Sequence, residues 1–132
     1  MRILIADDEP ANLLILERYL SSCGTCTLAA DGKQAVDLFS QALEEASPFN
    51  LVCLDIVMPV FDGVVALTKM RSLEAWHNVP PGQESTIFMV TSIDTAETML
   101  RAFLQGGCTD YLNKPITREA MIKKLQQHGL IP

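Results

Sequence analysis

Arg2-Ile-Leu-Ile-Ala-Asp-Asp-Glu-Pro10 is the stretch that decides the fold class. An uninterrupted apolar run stops abruptly at two adjacent aspartates, and a proline comes soon after. Such a run fits a strand buried on both faces, and Pro10 fits the first turn of a helix, where its missing N–H is not needed. Leu13, Leu16 and Leu20 then recur on one helical face to about Ser22.

Outward from there the strand-then-helix unit repeats. Residues 25–30 read as a strand closed by Asp31-Gly32, and 33–46 as a helix with Ala35, Leu38, Phe39, Ala42 and Leu43 on one side. Residues 50–55 form a third strand with almost no polar interruption. Asp62-Gly63 opens a third helix carrying Val64, Leu67, Met70 and Arg71, and 75–85 is a polar loop whose Trp76 is expected to pack over that helix. Residues 86–91 are a fourth strand. Asp94 or Thr95 caps a fourth helix to about Gln105, which Gly106-Gly107 breaks. A short fifth strand covers 110–113, Lys114-Pro115 turns, and Thr117 caps a fifth helix to about Gln127. Five strands alternating with five helices predict an α/β domain with a parallel sheet covered on both faces.

Composition agrees. With 132 residues, 48% apolar and 20% charged, the chain can bury a core, and disordered or collagen-like classes are excluded. Sixteen acidic against ten basic residues give a net charge of −6, which disfavours direct nucleic-acid or membrane-surface binding. No apolar run approaches a transmembrane span or a signal-peptide core. The expectation is one soluble cytoplasmic domain over 1–132, its core about 2–127, with no output domain. Cys23-Gly-Thr-Cys26 has a redox-like spacing but lies at the wrong end of its helix, and neither Cys53, Cys108 nor a histidine completes a zinc set. Reduced thiols are expected.

The polar residues fall at strand ends. Asp7 and Asp8 come directly after the first strand, Asp55 ends the third, Thr91 ends the fourth and Lys114 lies just past the fifth. In a parallel sheet these ends share one edge, so all five converge on one crevice. Three carboxylates about 4 Å apart repel by roughly 4 kcal/mol per pair at an effective dielectric near 20. They call for a cation, and hard oxygen ligands without His or Cys favour Mg²⁺. A Mg²⁺ beside a lysine and a hydroxyl suits a phosphoryl group.

Ile5-Ala-Asp-Asp-Glu-Pro10, Leu54-Asp-Ile-Val-Met-Pro59 with Asp62-Gly63, Met89-Val-Thr-Ser92, and Gly107-Cys-Thr-Asp-Tyr-Leu-Asn-Lys-Pro115 together resemble the receiver domains of two-component response regulators. The resemblance is nearest to stand-alone, chemotaxis-regulator-like receivers and covers about 2–127. It implies a flavodoxin-like, doubly wound five-stranded (βα)5 sheet in order 2-1-3-4-5. It also implies that Asp55 is the phosphoacceptor for a sensor histidine kinase or a histidine phosphotransfer protein. Asp8 would bind Mg²⁺ directly, Asp7 through water, and Asp55 with the Val57 carbonyl would complete the ligands. Lys114 and Thr91 would contact phosphoryl oxygens, and Tyr111 would be an aromatic switch. The Lys114-Pro115 bond would be cis.

The same resemblance implies a switch rather than an enzyme acting on other molecules. Phosphorylation would move Thr91, turn Tyr111 inward, and alter the face of the fourth helix, fifth strand and fifth helix, with Met99, Ala102, Tyr111 and Arg118, which would signal in trans to a downstream protein. A phosphorelay intermediate is the alternative. Two other classes fit less well. An aspartate-nucleophile phosphatase needs a second aspartate two positions on, where Val57 stands, and a flavodoxin-like carrier needs a hydroxyl-rich loop where Asp7-Asp8-Glu9-Pro10 stands.

Overall fold

β1 (Arg2–Ala6) lies inside the sheet because it is flanked on both sides. β2 (Thr25–Ala29) pairs with one edge, Ile3 beside Cys26, and β3 (Leu51–Asp55) with the other, Ile3 beside Leu51. β4 (Thr86–Thr91) and β5 (Asp110–Asn113) continue the sheet. All pairs are parallel and the order is β2-β1-β3-β4-β5, as expected for a flavodoxin-like sheet. The computed structural model describes residues 1–92 and 107–132, so the expected fourth helix lies outside the described residues.

Side chains alternate across a strand, and here both faces are apolar. Leu4, Val52, Leu54, Ile87 and Met89 face α2 (Gly32–Glu44) and α3 (Gly63–Trp76). Ile3, Ile5, Leu51, Phe88 and Val90 face α1 (Pro10–Leu20) and the C-terminal helix (Arg118–Gln127). No described helix is long and apolar enough to cross a membrane.

Local chemistry sets the helix starts. Pro10 opens α1. Asp31 accepts from the Gln34 N–H, Asp62 from the Val65 N–H and Thr117 from the Ala120 N–H, each a side-chain cap satisfying a first-turn donor. At Gly63 a Cβ would run into the Asp55 carbonyl, so only glycine lets α3 start beneath the end of β3. Trp76 departs from expectation. It is the last residue of α3, to which the helix continues, and it is 81% exposed. The four cysteines are free thiols.

Candidate functional site

Asp7 comes directly after β1 and is fully buried, Asp55 ends β3 and is nearly so, and Asp8 is exposed at the rim. Each offers a carboxylate oxygen, and these atoms lie within 4.8 Å of one another. Lys114 enters from the far side of β4. Its backbone N–H donates to the Thr91 carbonyl (2.9 Å), its peptide bond to Pro115 is cis, and its Nζ lies 2.9 Å from Asp7 Oδ2 and 3.0 Å from Asp55 Oδ2. The outer oxygens are held by backbone: Glu9 N–H donates to Asp7 Oδ1 (2.9 Å) and Val57 N–H to Asp55 Oδ1 (3.3 Å).

Burial pushes the Asp55 carboxyl above its ordinary value; the Lys114 hydrogen bond opposes this and Asp7 adds to it. Burial alone would lower Lys114, but its two carboxylate partners outweigh that and hold its ammonium charged. One lysine facing three carboxylates leaves the crevice negative. The contact to Asp7 is not aligned as a hydrogen bond, so buried Asp7 Oδ2 accepts none from any described residue. A buried oxygen in that condition, beside hard oxygen donors only, fits a divalent cation such as Mg²⁺.

The family model of the response regulator receiver domain matches residues 3–126. The chain belongs to this family. Among curated relatives, the receiver domain is 37% identical over 131 residues to the peroxide stress-activated histidine kinase mak3 of Schizosaccharomyces pombe, covering 96% of this chain but 5% of that protein. It is 35% identical over 121 residues to the sensor histidine kinase GacS of Pseudomonas protegens, covering 91% of this chain and 12% of that one. The chain thus spans a small part of these relatives. Among solved structures, it resembles the receiver domain in a Saccharomyces cerevisiae complex of the histidine phosphotransfer protein Ypd1 with the response regulator Ssk1. There the TM-score is 0.82 at 26% identity, covering 98% of this chain and 88% of that one. A CheY-like receiver from Methanospirillum hungatei gives 0.76 at 28% identity, covering 98% and 92%.

In this receiver domain Thr91 ends β4 and is buried, one position beyond the Asp55–Val90 pair. Tyr111 lies on β5, half-buried, with Lys124 Nζ 5.7 Å from its ring centroid. Arg118 is the exposed first residue of the C-terminal helix, and its guanidinium lies 5.2 Å over the Tyr19 ring of α1. Met99 and Ala102 lie outside the described residues. Asp7, Asp8, Asp55, Thr91 and Lys114 therefore meet at one sheet edge, and Tyr111 sits on the adjoining strand.

Two clusters are not visible in the sequence. Asp110 accepts from Lys124 through both oxygens (3.0 and 2.9 Å) and lies 2.9 Å from His128 Nε2. Arg71 and Glu74 of α3 pair at 2.7 Å, with Glu74 only 3% exposed. Arg71 on an otherwise apolar helix face was the one available clue; the Asp110 partners, 14 and 18 positions away, leave none.

Proposed function

We propose that this receiver domain accepts a phosphoryl group from a phosphohistidine onto Asp55. The observation that carries the reading is the Lys114 ammonium bridging Asp7 and Asp55, with Asp7 Oδ2 accepting no hydrogen bond from any described residue, at the C-terminal edge of β1 and β3. Asp8, Asp55 and the Val57 carbonyl would hold Mg²⁺ directly, with Asp7 through water; the ion supplies neutralisation of phosphoryl charge. An Asp55 oxygen attacks phosphorus as the donor's P–N bond breaks, giving an aspartyl phosphate. Lys114 then turns from the carboxylates to the phosphoryl oxygens, with Thr91 donating its hydroxyl. Thr91 moving toward those oxygens lets Tyr111 turn inward, so the face around β5 reports the state to a downstream protein in the cytoplasm. The domain catalyses only its own phosphorylation and dephosphorylation.

A histidine-bearing protein suits the rim. Exposed Ile15 of α1, with Val57 and Val60 after β3, supplies apolar contact, and a groove of about 520 Å³ runs beside α1 past Asn12 and Tyr19 to Lys114. The relation to histidine kinases and to the Ypd1-bound receiver also supports the alternative role of phosphorelay intermediate. The test is incubation with a phosphorylated histidine phosphotransfer protein and Mg²⁺. Transfer that is lost on chelation supports the reading, transfer that also runs backward marks a relay, and no transfer from a panel of such donors or from acetyl phosphate refutes it.

A further inference from the structure

β5 carries Lys114 at its end yet is an edge strand of four residues with a single neighbour, the kind of strand whose register is easily lost. A slip of one residue would displace Lys114 by about 3.3 Å along the strand. At the opposite edge of the sheet, far from the crevice, one side chain gathers the starts of both strands. Arg71 donates from Nε to the Gly107 carbonyl (2.9 Å), and from Nη1 to the Ser85 carbonyl (2.8 Å) and Glu74 Oε1 (2.7 Å). Its Nη2 lies 3.4 Å from Thr109 Oγ1, which accepts from the Ile87 N–H (2.9 Å), while the Thr109 N–H donates to the Ile87 carbonyl (2.8 Å).

Glu74 fixes the arginine in turn: its other oxygen accepts from the Ser85 N–H (2.7 Å), so the fork cannot swing without stranding a buried carboxylate. Gly107, at φ 73°, adopts the left-handed turn that sets its carbonyl on Nε, and a Cβ there would come within 3.7 Å of the arginine stem.

We infer that Arg71, held by Glu74, is a positioning residue for Lys114. It pins the start of β5 to the start of β4, the parallel ladder carries that register to the pairing of Thr91 with Asn113, and the Lys114 N–H bond to the Thr91 carbonyl delivers it to the ammonium. The carboxylates sit on β1 and β3 and do not depend on this pin. Loss of the clamp therefore loosens the lysine and spares the metal ligands.

This inference rests on the phosphoryl-acceptor reading, and the experiment separates the two. Affinities for Mg²⁺ alone and for beryllofluoride with Mg²⁺ are measured on wild type, Arg71→Ala, Arg71→Lys and Glu74→Gln, with melting curves to select folded variants. Arg71→Lys keeps the charge against Glu74 but cannot span both carbonyls, so it serves if the alanine variant does not fold. The expected result is beryllofluoride binding weakened about tenfold in Arg71→Ala and less in the milder variants, short of the roughly 10²-fold that a 1 Å misplacement of a reacting group can cost. Mg²⁺ binding stays within about twofold, and with Lys114→Ala already present the Arg71 change adds no more than about twofold. Wild-type beryllofluoride affinity in the folded variants, equal loss of both affinities, or an undiminished effect without Lys114 overturns the clamp alone. Wild type that does not bind beryllofluoride overturns both readings.

Discussion

Asp55 has a lysine 3.0 Å away on one side and Val57 on the other, and Val57 is 56% exposed. On the proposed reading, in which Asp55 accepts the phosphoryl group, that pairing bears on both the carboxylate's charge and the life of its acyl phosphate. An apolar, solvent-facing side chain two positions on would then shield the phosphorus and cannot orient a water. Val57→Asn should therefore shorten the life of the phosphorylated state, by up to about tenfold, short of the roughly 10²–10⁴-fold of full general acid–base catalysis. Phosphate release after rapid removal of the donor measures it; an unchanged decay contradicts it. Ile93, two positions after Thr91, lies outside the described residues. At this scale the convergence of Asp7, Asp8, Asp55, Thr91 and Lys114 was legible because each stands at or just past a strand end, where topology alone brings distant positions together. The unbonded oxygen of Asp7 was not, since it depends on the angle at which Lys114 arrives.

β5 and the C-terminal helix are joined by the Asp110 cluster, and its chemistry makes that joint sensitive to acid. Burial pushes the Asp110 carboxyl up, but His128, Lys124 and the Tyr111 N–H together pull it below the ordinary 3.8. A carboxyl lowered in the folded state stabilises the fold above 3.8, and that contribution is lost as pH falls through its lower folded value. The melting temperature of Asp110→Asn should lie a few degrees below wild type at neutral pH. The gap should close as the pH drops below 3.8; a gap that persists or widens there contradicts this. Among the described elements the strands and two helix starts were legible because turn residues and caps punctuate them: Asp62 and Thr117 cap as their positions imply, whereas Asp31, read as a turn residue, also caps α2. Trp76 was misplaced because α3 runs on to it, and helical propensity gives no sharp stop where no glycine or proline comes next.

For the molecule as a whole, the sheet order puts β1 and β3 side by side with their helices on opposite faces, so a crevice opens where their C-terminal ends part. Doubly apolar strands made the sheet class readable from sequence; the exposed apolar side chains Ile15, Val57 and Val60 were not, because exposure is a property of the assembled surface. The proposed function has this receiver domain take up and report one phosphoryl group, and where that group goes is its central claim. The direct measurement is labelling with acetyl phosphate and Mg²⁺, then borohydride reduction of the acyl phosphate and peptide mass analysis. The account predicts modification at Asp55, dependent on Mg²⁺ and absent in Asp55→Asn; modification at another residue, or undiminished labelling of Asp55→Asn, would contradict it.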